Sequence, residues 1–188
     1  MTESPRGNLL LGMAVDVAYL EAFPMFARLE ADELTRVASF AEERFYPPGK
    51  TIFSSGDECQ GLFIVRSGQV KVFKAAPDGR EQIYRVVEPE DFFAESALFA
   101  GGHHASYAEA LTDAKLILIH RRPFVEFLSE KPLASLGMLH GMSLHVRDMG
   151  RLIEDLTLKD ARGRFARYVL RHMQGPVLPG SSYRLPAP

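Results

Sequence analysis

Residues 44–87 read RFYPPGKTIFSSGDECQGLFIVRSGQVKVFKAAPDGREQIYRVV. Short β-branched and aromatic runs (Thr51 to Phe53, Leu62 to Val65, Gln69 to Lys74, Gln82 to Val87) are separated by Pro48-Gly49, Gly56-Asp57, Ser67-Gly68 and Asp78-Gly79. Branched and aromatic side chains suit a pleated, half-buried surface, and glycine, proline and aspartate allow the chain to reverse. A further turn follows at Glu90-Asp91, and the apolar DAKLILIH, residues 113–120, closes the series. Strands that recur every ~8 to 12 residues with turns between them predict a small antiparallel sandwich or barrel.

The flanks have a different period. Residues 13–43 read as helices, with Leu34, Val37, Ala38 and Ala41 on one face at three-four spacing. After Arg121-Arg122-Pro123 helix returns as FVEFLSE, stopped before Pro132, and then runs without interruption from Leu133 to about Leu158. Leu139, Met142, Val146, Met149, Ile153 and Leu156 are spaced 3, 4, 3, 4, 3 along it, a heptad seam that needs a partner, either the chain's own β-domain or a second copy. Gly141 and Gly150 lower the helix propensity by roughly 1 kcal/mol each relative to alanine and predict a close approach at those points. LKDARGRFARYVLRHM, residues 158–173, predicts another helix, with Arg162, Arg164, Arg167 and Arg171 around it, and Tyr183 to Leu185 could form a strand. The expected organisation is a helical lead-in over 1–43, a β-domain over 44–132, a long helix and hinge over 133–158, and the start of a further unit over 159–188.

Composition bounds the chemistry. The 188 residues are 46% hydrophobic, enough for one buried core with an appended element, and the formal charge of -2 leaves any nucleic-acid affinity to a local patch. One cysteine, Cys59, cannot form an intramolecular disulfide or a cysteine-ligated zinc or iron–sulfur site, and a reducing cytoplasm is the expected location. No run approaches the ~18 apolar residues of a membrane span, so neither a membrane role nor secretion is expected.

No enzyme is expected. The sequence has no G-x-S-x-G, no phosphate loop of the Walker type, and its cysteine lies in the acidic turn GDECQ, where a thiolate is disfavoured. The enzyme alternative is a cupin-like metal site in which His103, His104, Glu109 and His120 would supply nitrogen and oxygen ligands. Adjacent residues on a strand point to opposite faces, so His103 and His104 could share a cavity only within a turn.

The helical lead-in, the glycine turns at Gly49, Gly56, Gly68 and Gly79, FFAES at 92–96, the heptad helix and LTLKDARGRFARYVL at 156–170 together resemble the Crp/Fnr superfamily of bacterial transcription regulators. The resemblance covers about residues 20–186. It implies a mainly β fold with flanking helices: a cyclic-nucleotide-binding double-stranded β-roll (jelly roll) and a long dimerisation helix. It also implies a homodimer, whose interface would be Leu139, Met142, Val146, Met149, Ile153 and Leu156, and DNA binding through a winged helix-turn-helix beyond the segment YRLP. In members that bind cyclic AMP, a Gly-Glu pair receives the ribose hydroxyls and an Arg-Ser pair the cyclic phosphate. Here Glu95 matches the acid, Ala94 replaces the glycine, Ala105 stands at the arginine position and Ser106 is retained. The implied effector pocket comprises Glu95, Ser96, Ala105, Ser106, Tyr107, Met149 and Gly150, the last two lying where cyclic-AMP binders present polar residues to the base. A phosphate buried without its arginine is an unpaired charge, so weak or absent cyclic-AMP binding is expected. The local alternative for Glu95 is a cap on a short helix beginning near Ser96.

The same departures resemble the Dnr and hybrid-cluster-protein-regulator branch, which implies haem-based sensing of nitric oxide in nitrosative stress. A haem b would take an axial ligand from His140, His145, Met138 or Met142, unless the methionines are core or seam residues. The other regulatory reading is a cyclic-nucleotide-binding module of a larger protein, which would have no use for the helix DARGRFARYVL.

Overall fold

A computed structural model describes residues 13–23 and 25–158. The strands are β1 (Met13–Ala14), β2 (Ala41–Tyr46), β3 (Thr51–Phe53), β4 (Gly61–Ser67), β5 (Val70–Ala75), β6 (Glu81–Val87), β7 (Phe92–Phe93), β8 (Tyr107–Ala110) and β9 (Ala114–His120). The helices are α1 (Val17–Ala22), α2 (Ala31–Ser39), α3 (Glu95–Phe99), α4 (Arg121–Glu130) and α5 (Pro132–Leu158). One sheet has the order β1-β2-β9-β4-β7 and the other β3-β8-β5-β6, with every pairing antiparallel. This is the mainly β jelly-roll architecture with flanking helices that the strand spacing and the resemblance imply. The chain divides into two compact units, with the boundary inside α5 between Ser143 and Leu144.

The central strands β4 and β9 read as unbroken apolar runs because both faces of their sheet are covered. Phe63, Val65, Leu116 and Leu118 face the second sheet and pack with Val70, Val72, Ala108 and Ala110. Leu62, Ile64, Ile117 and Ile119 face the other way, into a core with Phe26, Val37, Phe124 and Phe127. β7 spans both cores within two residues. Phe93 pairs with Phe63 and stacks on it at 5.2 Å inside the roll, whereas Phe92 pairs with Ile64 and joins the helical core.

The expected turns occur where the glycines require them. Gly49, Gly56, Gly68 and Gly79 have φ of 75°, 92°, 83° and 85°, a region that Cβ-bearing residues avoid. The helical reading of 13–43 is corrected at two places. α2 ends at Ser39, and Ala41 begins strand β2 instead of continuing the helical face. Met13–Ala14 is a strand, with Met13 opposite Glu43. β2 escapes apolar periodicity because Glu42, Glu43 and Arg44 occupy its middle, where Glu42 pairs with Arg44 and Glu43 with Arg66. β7 and β8 were also not apparent as strands, one being two residues long and the other alternating alanine with Tyr107 and Glu109.

The two helix glycines behave differently. A Cβ on Gly141 would lie 2.7 Å from the Phe92 ring, so the predicted close approach is real there. At Gly150 an added Cβ meets nothing within 4 Å among the described residues of the chain itself.

Candidate effector site

The site assembles around Glu95 at the start of α3. The preceding Ala94 has φ 75° and ψ 8°, a left-handed conformation that turns the chain from β7 into α3. Glu95 is the first residue of that helix and not its cap, which corrects the capping alternative: the cap position belongs to Ala94, which has no side-chain hydrogen bond to offer. A carboxylate in the first turn is favoured by the unpaired amides there, and Glu95 also has an ion-pair partner on another element.

That partner is Arg85 on β6. Strand alternation places Arg85 on the same face as Val87, which is fully buried in the roll. Its Nη1 is 3.6 Å from Glu95 Oε1, and its Nη2 donates to Asp91 Oδ2 at 2.7 Å and to the Phe92 carbonyl at 2.7 Å. Asp91 Oδ1 in turn accepts the Phe92 amide at 2.8 Å. One guanidinium thus joins two carboxylates and a backbone carbonyl, in the charge-assisted geometry that suits arginine better than lysine. The side chains of Arg85 and Glu95 are 21% and 18% exposed, which weakens solvent screening of the pair.

The other residues assigned to the pocket differ in exposure. Ser96 and Ala105 are exposed, and Ser106 is half-buried. Tyr107 stacks on Phe73 at 5.4 Å, on the face of β8 opposite to the buried Ala108 and Ala110. Met149 and Gly150 belong to the second unit, and Met149 is exposed.

The residues of the metal alternative go to separate places. His103 is exposed, whereas His104 is buried and stacked on Phe53 with centroids 3.6 Å apart and rings 5° from parallel. Glu109 pairs with Lys71 at 3.2 Å, and His120 Nε2 lies 3.6 Å from Glu42. Among the described residues, no three histidine, cysteine or acidic side chains are placed to hold a metal ion. Burial pushes the His104 imidazole below its ordinary pKa and the Cys59 thiol above its own, so neither is charged at neutral pH.

On α5, Met138 is buried in the helical core and Met142 packs partly against it, while His140 is exposed and His145 half-buried. Leu139, Val146, Met149 and Ile153 of the heptad seam are 58%, 68%, 51% and 62% exposed, and the Leu156 side chain lies outside the description. The helix and strand expected at 158–173 and 183–185 also lie outside the described residues, apart from Leu158. Arg85 and Asp91 were missed by sequence reasoning. The available signal was a charged residue at a position of QIYRVV that shares a face with the inward-pointing Val87.

Residues 43–131 match the cyclic nucleotide-binding domain family. The cyclic AMP receptor protein of Thermus thermophilus is 27% identical over 161 residues, spanning 84% of this chain and 74% of that relative. The crystal structure of the Thermus thermophilus catabolite activator protein superposes with a TM-score of 0.61 at 28% identity, over 79% of this chain and 70% of that one. The sensor domain of the regulator DNR from Pseudomonas aeruginosa shares the fold, with a TM-score of 0.62 at 22% identity over 76% of this chain and 95% of that one. Among the described residues no helix is long and apolar enough to cross a membrane. With the strand order of the roll and the long helix that follows it, residues 43–131 form a cyclic nucleotide-binding domain, and the chain is similar to regulators of the Crp/Fnr superfamily.

Proposed function

We propose that this chain is the effector-sensing part of a homodimeric Crp/Fnr-type regulator that does not respond to cyclic AMP. The observation that carries this reading is the Arg85–Glu95 pair. The carboxylate expected to receive a ribose diol is already engaged by a guanidinium of its own chain, and that guanidinium is held by Asp91 and the Phe92 carbonyl. Ala105 stands where the family presents its phosphate-binding arginine. For Arg85 to serve the phosphate instead, it would have to leave two short hydrogen bonds. Relatives named for cyclic AMP make that nucleotide the natural competitor to this reading. Calorimetric titration decides between them. The missing cation predicts a deficit of ~2 to 5 kcal/mol, enough to weaken binding by orders of magnitude, and micromolar affinity for cyclic AMP would overturn the proposal.

The haem reading draws less support. Met138 is enclosed by the helical core, so a thioether ligand there would have to break its packing, whereas His140 is exposed and open to a ligand. Absorption spectra with haemin and nitric oxide test this directly: a Soret shift abolished by His140→Ala would restore haem b as the cofactor.

A further inference from the structure

We propose that Arg85 is a positioning residue that couples the site at Glu95 to the long helix α5 through Phe92, so that disturbing the Arg85 ion pairs changes the packing at Gly141. The inference rests on the reading of the roll as a sensor and concerns how that site is regulated.

Phe92 is held through its backbone at both ends. Its amide donates to Asp91 Oδ1 at 2.8 Å, and its carbonyl accepts from Arg85 Nη2 at 2.7 Å. The same Arg85 nitrogen bonds the other oxygen of Asp91, so three residues close a small ring around one peptide segment. The guanidinium's second arm reaches Glu95, three residues along. Any ligand that recruits Glu95 competes for that arm, and its release alters the clamp on Phe92.

Phe92 is the side chain that carries such a change outward. Only 4% exposed, it lies on the helical side of the sheet, while its neighbour Phe93 anchors the roll side. A Cβ at Gly141 would come within 2.7 Å of Phe92 Cε1 and 2.8 Å of Cζ, so the ring rests on the backbone of α5. A side chain at 141 could turn aside and absorb a shift of the ring. Bare helix backbone cannot, because close-packed interiors transmit displacement instead of yielding to it. The same contact accounts for a glycine inside a helix, where it costs stability.

Hydrogen exchange on the 188-residue chain, without ligand, tests the coupling. Arg85→Gln removes the ion pairs, and the amides of 81–93 and of 137–143 are both expected to exchange about tenfold faster, the size of one lost charge-assisted hydrogen bond. Lys71→Gln is the control. Lys71 pairs with Glu81 and Glu109 on the outer face of the same hairpin, so its loss should affect the hairpin and leave 137–143 unchanged. Gly141→Ala applies the change from the other end, and exchange at 85–93 should respond although Arg85 is intact. A response to Arg85→Gln confined to 81–93 overturns the proposal. If that variant does not fold, an unchanged 85–93 in Gly141→Ala overturns it equally. Tight cyclic-AMP binding would sink the specificity reading and leave this result standing, so the two failures are distinguishable.

Discussion

Ala94 shows how one backbone angle carries family information that the residue identity obscures. The resemblance implies glycine here in members that bind cyclic AMP, and the backbone gives a reason: the chain enters α3 through φ 75°, which strains any residue with a Cβ by roughly 1 to 2 kcal/mol. Ala94→Gly should therefore stabilise the protein by about 1 kcal/mol and raise its melting temperature by ~2 to 4 °C, measurable by calorimetric or circular-dichroism melting. An unchanged or lowered melting temperature would mean that the lost methyl packing outweighs the relief. His104 makes a second prediction at this scale. Burial against Phe53 holds its folded pKa below the unfolded value, so the unfolded chain takes up the proton first as pH falls. The stability this neutral histidine contributes is complete above about pH 6.5 and is lost as pH drops from there through the folded pKa. Denaturation midpoints measured from pH 8 to pH 5 should fall less steeply in His104→Phe than in the parent. Glu95 was legible in the sequence because the motif around it resembles a known one. Arg85 was not, since its partner Glu95 is ten residues away on another element and only the fold brings them together.

At the scale of elements, α5 covers the stretch that the sequence predicts as one uninterrupted helix. The seam Leu139, Val146, Met149 and Ile153 is exposed, and an apolar stripe of this length at heptad spacing is the usual signature of a helix that pairs. Val146→Glu combined with Ile153→Glu should convert a dimer into a monomer in sedimentation, since two charges would be buried on each helix of the pair. A dimer mass that survives the double change would show that the interface lies elsewhere. Met142, placed in the same seam by its spacing, instead packs partly against the helical core, so the seam narrows near its start. The 3.5-residue period fixes which residues share a face, but not what that face meets. β2 failed for a related reason: three charged residues in a row carry no apolar period, and the strand becomes visible only once Arg66 is seen beside Glu43.

For the molecule as a whole, Arg162, Arg164, Arg167 and Arg171 concentrate positive charge in one stretch of the sequence, suited to phosphate contacts. Phosphate contacts position a protein without reading sequence. The 188 residues should therefore bind DNA weakly, without sequence preference and with a steep loss as salt rises. Band shifts on random and palindromic duplexes check this, and specific, salt-resistant binding by the 188 residues would overturn it. The sequence by itself determined the placement of the inner run of strands β3 to β6 and of β9, their turns and the long helix, because periodicity and glycine chemistry are local properties of the chain. Only the tertiary structure decided that Arg85 meets Glu95, that Phe92 rests on Gly141 and that His103 and His104 part company. Those outcomes depend on which strands become neighbours and which faces close on each other, and no local pattern encodes a distance between residues brought together by a fold.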